Sequence, residues 1–213
     1  MEAIYAAQRG DFQLLQGLVN LGIDLQARDE NGLTALSWAC GAGQPACAQL
    51  LIDAKADIEA KSISNTTPLS WASSNGDTAC MQLLIDAKVN VNARVRNDET
   101  ALFGAASNGD AASVKLLLDA KASTDMKSRD DITPLTQAAR NGHATCVQLL
   151  VDARMNVDAV DKYLMTPLSW SAREGHDACV QLLIKAKASL ELEGIAGVPP
   201  LSWAAFTGHY GYW

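Results

Sequence analysis

Aromatic residues make up only 6% of this chain of 213 residues, with no more than 5 Trp, 4 Tyr and 3 Phe, so large rings do not fill its core. No stretch of about 18 apolar residues occurs, which removes the ordinary signal of a membrane-spanning helix, and no apolar run follows a basic start at the N-terminus. The chain is therefore expected to be soluble, with the cytoplasm as its default compartment and an organelle as the alternative had a targeting segment been removed. Positive charge is also scarce: 17 Lys and Arg stand against 24 Asp and Glu, for a net charge of -7. Phosphate-backbone binding needs clustered cations, so a nucleic-acid or anionic-membrane surface is disfavoured. The 5 Cys form no C-x-x-C pair and the 3 His join no Cys cluster, which argues against zinc. The 15 Gly are spread along the chain, so there is no phosphate-cradling loop.

What is present is a beat. Thr67-Pro68-Leu69-Ser70-Trp71-Ala72 returns with its Leu at Leu36, Leu69, Leu102, Leu135, Leu168 and Leu201, a step of 33 residues without an insertion. Two residues earlier stand Thr34, Thr67, Thr100, Thr133 and Thr166, then Pro199. A second series, Gly10, Gly43, Gly76, Gly109, Gly142, Gly175 and Gly208, keeps the same step. Thr is a good N-cap and Pro suits the first helical position, so a helix starts at each motif. The periodic Gly ends it with a positive φ. A second helix follows, as in Cys146-Val147-Gln148-Leu149-Leu150-Val151, with apolar residues at the spacing of one helical face. A stretch such as Asn156-Val157-Asp158-Ala159 then leads through a turn to the next Thr, as a short hairpin-like finger. None of these units buries its own apolar face, so stacking is obligatory.

These residues resemble the ankyrin repeat, whose period of 33 and T-P-L-H-x-A signature they nearly reproduce along the whole chain. The resemblance implies an all-α solenoid: first helices on a concave face, second helices on the convex face, fingers to one side. The expected organisation is one array over 1–213, with an N-terminal cap at 1–28 that matches the second half of a repeat. Full repeats follow at 29–61, 62–94, 95–127, 128–160 and 161–193, and 194–213 begins a unit that stops before its second helix. Tyr210, Tyr212 and Trp213 near that end suggest either a longer natural chain or a makeshift lid.

Two departures from the family pattern stand out. Its His is replaced by Ser37, Ser70, Phe103, Thr136, Ser169 and Ser202, so the hydrogen bond it makes between fingers must be replaced or lost. The Gly after the second helix survives only as Gly22, its equivalents being Lys55, Lys88, Lys121, Arg154 and Lys187. A left-handed cap at a non-Gly residue costs about 1 kcal/mol, partly offset by the cation at a helix C-terminus. Pairing of this basic stripe with Asp53, Asp86, Asp119 and Asp152 is expected.

Cys47, Cys80, Cys146 and Cys179 share one repeat position, filled by Ser113 in the remaining repeat, and are expected to be packed as reduced, uncoordinated thiols, as is Cys40. His143, His176 and His209 share another position and are expected to brace a turn. No nucleophile and base arrangement accompanies them, so no enzyme, cofactor or metal is indicated. Trp38, Trp71, Trp170 and Trp203 fit either seam packing between helices or an exposed ladder, with Gly104 and Gln137 interrupting the series.

The fingertips vary most. Their third position is Gly32, Asn65, Asp98 and Asp131, as a tight turn prefers, but Leu164 in repeat five. Tyr163, Leu164 and Met165 would form an apolar tip beside Ile195, and Arg129, Arg140, Arg173 and Phe206 lie at the variable ends near it. The expected function is a non-catalytic module that binds a protein partner through finger tips and the concave helix face, with these eight residues as the contact set. The alternatives are a structural subunit of a larger, organellar or other, assembly, and the ankyrin segment of a longer enzyme or channel. Packing of the tip on residues 195–198 alone is the competing account of that set.

Overall fold

A computed structural model describes residues 1–192, 199, 200 and 202. Among them are twelve α-helices, one short 3-10 turn at Arg96–Asp98, and no strand. The chain groups into two compact units, Met1–Arg96 and Asn97–Trp213. The first holds α1 (Glu2–Arg9), α2 (Phe12–Asn20), α3 (Ala35–Gly41), α4 (Pro45–Asp53), α5 (Pro68–Ser74) and α6 (Thr78–Asp86). The second holds α7 (Ala101–Asn108), α8 (Ala111–Asp119), α9 (Pro134–Arg140), α10 (Ala144–Asp152), α11 (Pro167–Arg173) and α12 (Asp177–Lys185). Residues 1–28 thus carry both helices of a unit rather than its second half alone.

Each first helix opens on its threonine. Thr34, Thr67, Thr100, Thr133 and Thr166 are extended, and each hydroxyl accepts from the N–H three residues on, at Ser37, Ser70, Phe103, Thr136 and Ser169. The second helices α2, α6 and α8 use Asp11, Asp77 and Asp110 in the same way. Their ends also follow the sequence: the periodic glycines from Gly10 to Gly175 all have positive φ, and so do Lys55, Lys88, Lys121, Arg154 and Lys187, at 61 to 68°. The lysine stripe nevertheless lacks its expected partners. Asp53, Asp86 and Asp152 accept instead from Gln49, Gln82 and Gln148, one helical turn earlier on the same face. A side chain leaving a left-handed residue beyond the helix end points away from that turn.

Within the first unit α1, α3 and α5 pack side by side, and α2, α4 and α6 form the second layer. In the second unit α7, α9 and α11 form one layer and α8, α10 and α12 the other. The motif leucines Leu36, Leu69, Leu102, Leu135 and Leu168 are buried between the layers, as are Leu51, Leu84, Leu117, Leu150 and Leu183 from the second helices. Truncating one such Leu to Ala costs about 2–5 kcal/mol. Ala39, Ala72, Ala105 and Ala138 are fully buried where first helices approach each other, which explains why rings are so few.

Within each unit, polar contacts tie neighbouring repeats together. The Asn31 carbonyl accepts from Ile63 N–H at 2.9 Å, that of Asn97 from Arg129 at 2.7 Å, and that of Asp130 from Lys162 at 3.1 Å. Arg28 donates to the Lys61 carbonyl, Lys61 to that of Arg94 and Lys127 to that of Val160, each 33 residues ahead. Side-chain oxygens of Gln26, Glu59 and Asp158 accept from Asp57, Asn90 and Ser189 N–H groups. The residues at the family's histidine position bond within their own repeat: the Ser37, Thr136 and Ser169 hydroxyls pair with those of Thr34, Thr133 and Thr166.

Candidate protein interaction surface

The finger of repeat five is held by one buried carboxylate. Asp161 Oδ1 accepts from the Tyr163 and Met165 N–H groups at 2.8 and 2.9 Å, and Oδ2 from the Trp170 indole at 2.7 Å. Backbone bonds from Leu164 to the Asp161 carbonyl and from Asp161 to the Met165 carbonyl close the turn. The tip is therefore fixed to α11 rather than hanging from it. Leu164 sits at φ 56°, in the slot where Gly32, Asn65, Asp98 and Asp131 are also left-handed. For a bulky residue that backbone is an outlier. Leu164 is 53% exposed, and Tyr163 beside it 39%.

Met165 departs from the expected tip. It is 1% exposed, because it follows the turn and points inward as Leu33 and Ile132 do in their own fingers. Ile195 and Phe206 lie outside the described residues, as do residues 196–198, Trp203 and His209.

The arginines meet on Trp170. Arg140, from the last turn of α9, places its guanidinium carbon 4.2 Å from the ring centroid, and Arg173, from the last turn of α11, at 5.1 Å. Arg173 also stands 3.8 Å from Glu174. Lys162 pairs with Asp130 and lies 5.0 Å from the Tyr163 ring; the Asp130 carboxylate holds its ammonium pKa above the ordinary value. Arg129 is exposed in the adjoining finger.

Trp38 and Trp71 fit the seam. Trp38 donates to Asp29 at 2.8 Å and Trp71 to Thr66 at 2.9 Å, with the two rings edge to face at 5.6 Å. Burial pushes the Asp29 carboxyl up, but the bonds from Leu33 N–H, Trp38 and Asn31 N–H outweigh it and leave the pKa below the usual value. An Asp that opens a finger, followed nine residues later by Trp, occurs at Asp29–Trp38 and Asp161–Trp170. That pairing was the sequence signal for the role of Asp161 and Trp170, and residue types alone did not expose it.

His143 and His176 brace turns. His143 Nε2 bonds the Ser107 carbonyl and His176 Nε2 the Arg140 carbonyl, both at 3.0 Å, although neither side chain caps its own helix. All five cysteines are buried free thiols. Burial and then the charge of Asp110 raise Cys146 to about 11, and burial and then Cys146 raise Cys179 to about 11. A hydrogen bond with Cys40, followed by burial, pushes Cys80 up as well. Raised thiols are poor nucleophiles and poor ligands at neutral pH. Among the described residues no group of three or more His, Cys, Asp or Glu is placed to hold a metal ion, and no helix is long and apolar enough to cross a membrane.

The family model for ankyrin repeats in three copies matches residues 3–95, 50–130 and 102–194. The chain belongs to the ankyrin-repeat family. Solved structures agree. The chain is similar to the human ASB11 ankyrin repeat domain at 25% identity and TM-score 0.87, over 96% of this chain and 91% of that one. An ankyrin repeat domain from Acinetobacter baumannii AYE is 29% identical with TM-score 0.82, over 88% and 98% of the two chains. The ankyrin repeat domain of Bcl-3, of the IkappaB protein family, is 25% identical with TM-score 0.86, over 94% and 92%. No curated protein sequence matches the chain. Ankyrin repeat domains are generally protein-interaction modules and typically lack enzymatic activity.

Proposed function

We propose that this ankyrin array is a non-catalytic module that binds a protein partner, with the finger of repeat five and the adjoining ends of α9 and α11 as its principal contact. The observation that carries this reading is Leu164, a large apolar side chain held exposed on a strained backbone. Strain that the surrounding structure over-determines commonly belongs to function. The repeat itself does not require it, since Gly32 and Asn65 fill the same slot. Exposed apolar groups beside arginines are the usual composition of an interface centre, whereas burial of Met165 gives the tip a rigid base.

The test is capture of partners from a lysate by the full chain and by Tyr163→Ala/Leu164→Ala, followed by mass spectrometry and affinity measurement on the captured protein. The double substitution should weaken binding by about 2 kcal/mol or more with helical content by circular dichroism unchanged. Unchanged affinity rejects the site. Loss of helix would instead show that the tip serves packing.

A further inference from the structure

Within the first unit, α1 and the finger of repeat one border an open cavity of about 330 Å³. One wall is a face of α1, with Ile4, Tyr5 and Gln8 at helical spacing; the other is Asp29 and Glu30 of the finger with the Trp38 ring of α3. That volume stands at the small end of the range of roughly 300–1,000 Å³ for ligand sites, enough for one long side chain and too little for a helix. Tyr5 is exposed and Trp38 half-buried.

Charge decides the chemistry. Among the described residues the lining holds two carboxylates and no Lys or Arg. Asp29 accepts from the Asn31 and Leu33 N–H groups and from the Trp38 indole at 2.8 to 2.9 Å. All three donors are neutral, so they favour the ionised carboxylate without cancelling its charge. Glu30 is exposed, and among the described residues neither carboxylate stands within ion-pair distance of a cation, the α-ammonium of Met1 included. Arg28, next in sequence, is engaged with the Gly32 and Lys61 carbonyls. A group that satisfies rings and carboxylates together is a guanidinium or ammonium on an apolar stem. A divalent ion needs six or more oxygens, and those of Asp29 already serve three N–H groups.

The rim leads on to an apolar surface. The Asn31 carbonyl accepts from Ile63 N–H at 2.9 Å, and Ile63 Cγ1 lies so near Gly32 that a Cβ added there would meet it at 3.1 Å. Ile63 is nevertheless 78% exposed. We infer that the cavity takes an Arg or Lys side chain from an extended protein segment, with an apolar residue of the same segment set against Ile63. A free organic cation would fill the cavity and leave Ile63 bare, which favours the segment. This contact lies in the first unit and goes beyond the proposed one, which lies in the second.

The experiment is selection of a displayed library of random peptides, about twelve residues long, on the full chain, with affinities of the recovered peptides measured by fluorescence anisotropy. One recovered family should place Arg or Lys within a few positions of a large apolar residue. Its affinity should fall at least about threefold in Glu30→Gln and at least about tenfold in Glu30→Lys and in Tyr5→Ala. Tyr5→Leu keeps an apolar body on α1 and should still weaken binding, which separates loss of the ring from a fold defect. Replacing the basic residue of the peptide by Met should weaken it at least about tenfold with the protein untouched, and Tyr163→Ala/Leu164→Ala should leave this family unaffected. Failure to recover a basic family overturns the inference, as does a basic family indifferent to Glu30 and Tyr5. Dimers of the native chain in analytical ultracentrifugation that Glu30→Lys abolishes would make a second copy the occupant and overturn it too. Peptides that depend on Leu164 and not on Glu30 would overturn it and leave the proposed function standing.

Discussion

Gly43, Gly109 and Gly142 occupy one slot of the repeat, with φ 67, 73 and 77°, yet an added Cβ would meet different neighbours at each. At Gly43 the nearest atom is Asp77 Oδ2 at 3.7 Å, ordinary contact, so Gly43→Ala costs only the left-handed backbone, about 1 kcal/mol. At Gly142 a Cβ would stand 2.7 Å from His176 Nδ1, and at Gly109 it would stand 2.5 Å from His143 Nδ1. The imidazole must swing away and give up its 3.0 Å bond to the carbonyl of the preceding repeat. Loss of that bond adds about 0.5–1.5 kcal/mol, more if the carbonyl stays dry. Gly142→Ala and Gly109→Ala should therefore cost about 1.5–2.5 kcal/mol against about 1 for Gly43→Ala, read from urea denaturation midpoints with the slope unchanged. A second arm isolates the cause: in a His176→Ala background the added cost of Gly142→Ala should return to about 1 kcal/mol. Equal costs at Gly43 and Gly142, or no relief without His176, would refute the bracing role of the histidines.

Trp170→Phe keeps one aromatic ring but removes the pyrrole half with its N–H donor to Asp161 Oδ2, and should cost at least about 1–3 kcal/mol in the same denaturation assay; no loss would mean that water replaces the indole N–H. Cys146 and Cys179 have pKa values raised from 9.0 to about 11, so folding favours their neutral form. Their contribution is fully present below about pH 9 and is lost as pH rises through about 11, each steepening the fall by roughly 1.4 kcal/mol per pH unit between those limits. Urea midpoints from pH 8 to 11 should decline less steeply for Cys146→Ala/Cys179→Ala than for the native chain, and parallel declines would contradict this. Thr133→Ala removes the cap on Thr136 N–H and should cost about 1 kcal/mol by thermal unfolding.

The helices were legible because their signals are local and recur. Thr at the cap, Pro at the first turn and Gly at the end fix α9 and α11 from short windows of sequence, and the left-handed lysines follow from the slot that Gly22 holds. Met165 misled because adjacency to Tyr163 and Leu164 suggested a shared surface. Its repeat equivalents Leu33 and Ile132 carried the better signal, since a residue just past a tight turn returns to the core. The aspartates of the second helices looked like partners for the lysines by proximity in sequence, but Gln49, Gln82 and Gln148 reach them first along the helix face. The site itself was only half visible. Arg140 and Arg173 could be named from their variability, whereas their meeting on Trp170, and the tie from its indole to Asp161, depend on how neighbouring repeats stack.

On the proposed function, the tip of repeat five is shaped for contact at the expense of stability. Thermal unfolding of Leu164→Asn tests it most directly, because Asn65 already occupies the same slot at φ 60° and Asn tolerates the left-handed region. With 53% of Leu164 exposed, the burial lost is at most about half of the roughly 1.5–3 kcal/mol of a fully buried Leu and is offset by about 1 kcal/mol of relieved strain, so the variant should unfold within about 1 kcal/mol of the native chain. A variant less stable than the native chain by more than that amount would contradict the claim and make Leu164 a packing residue.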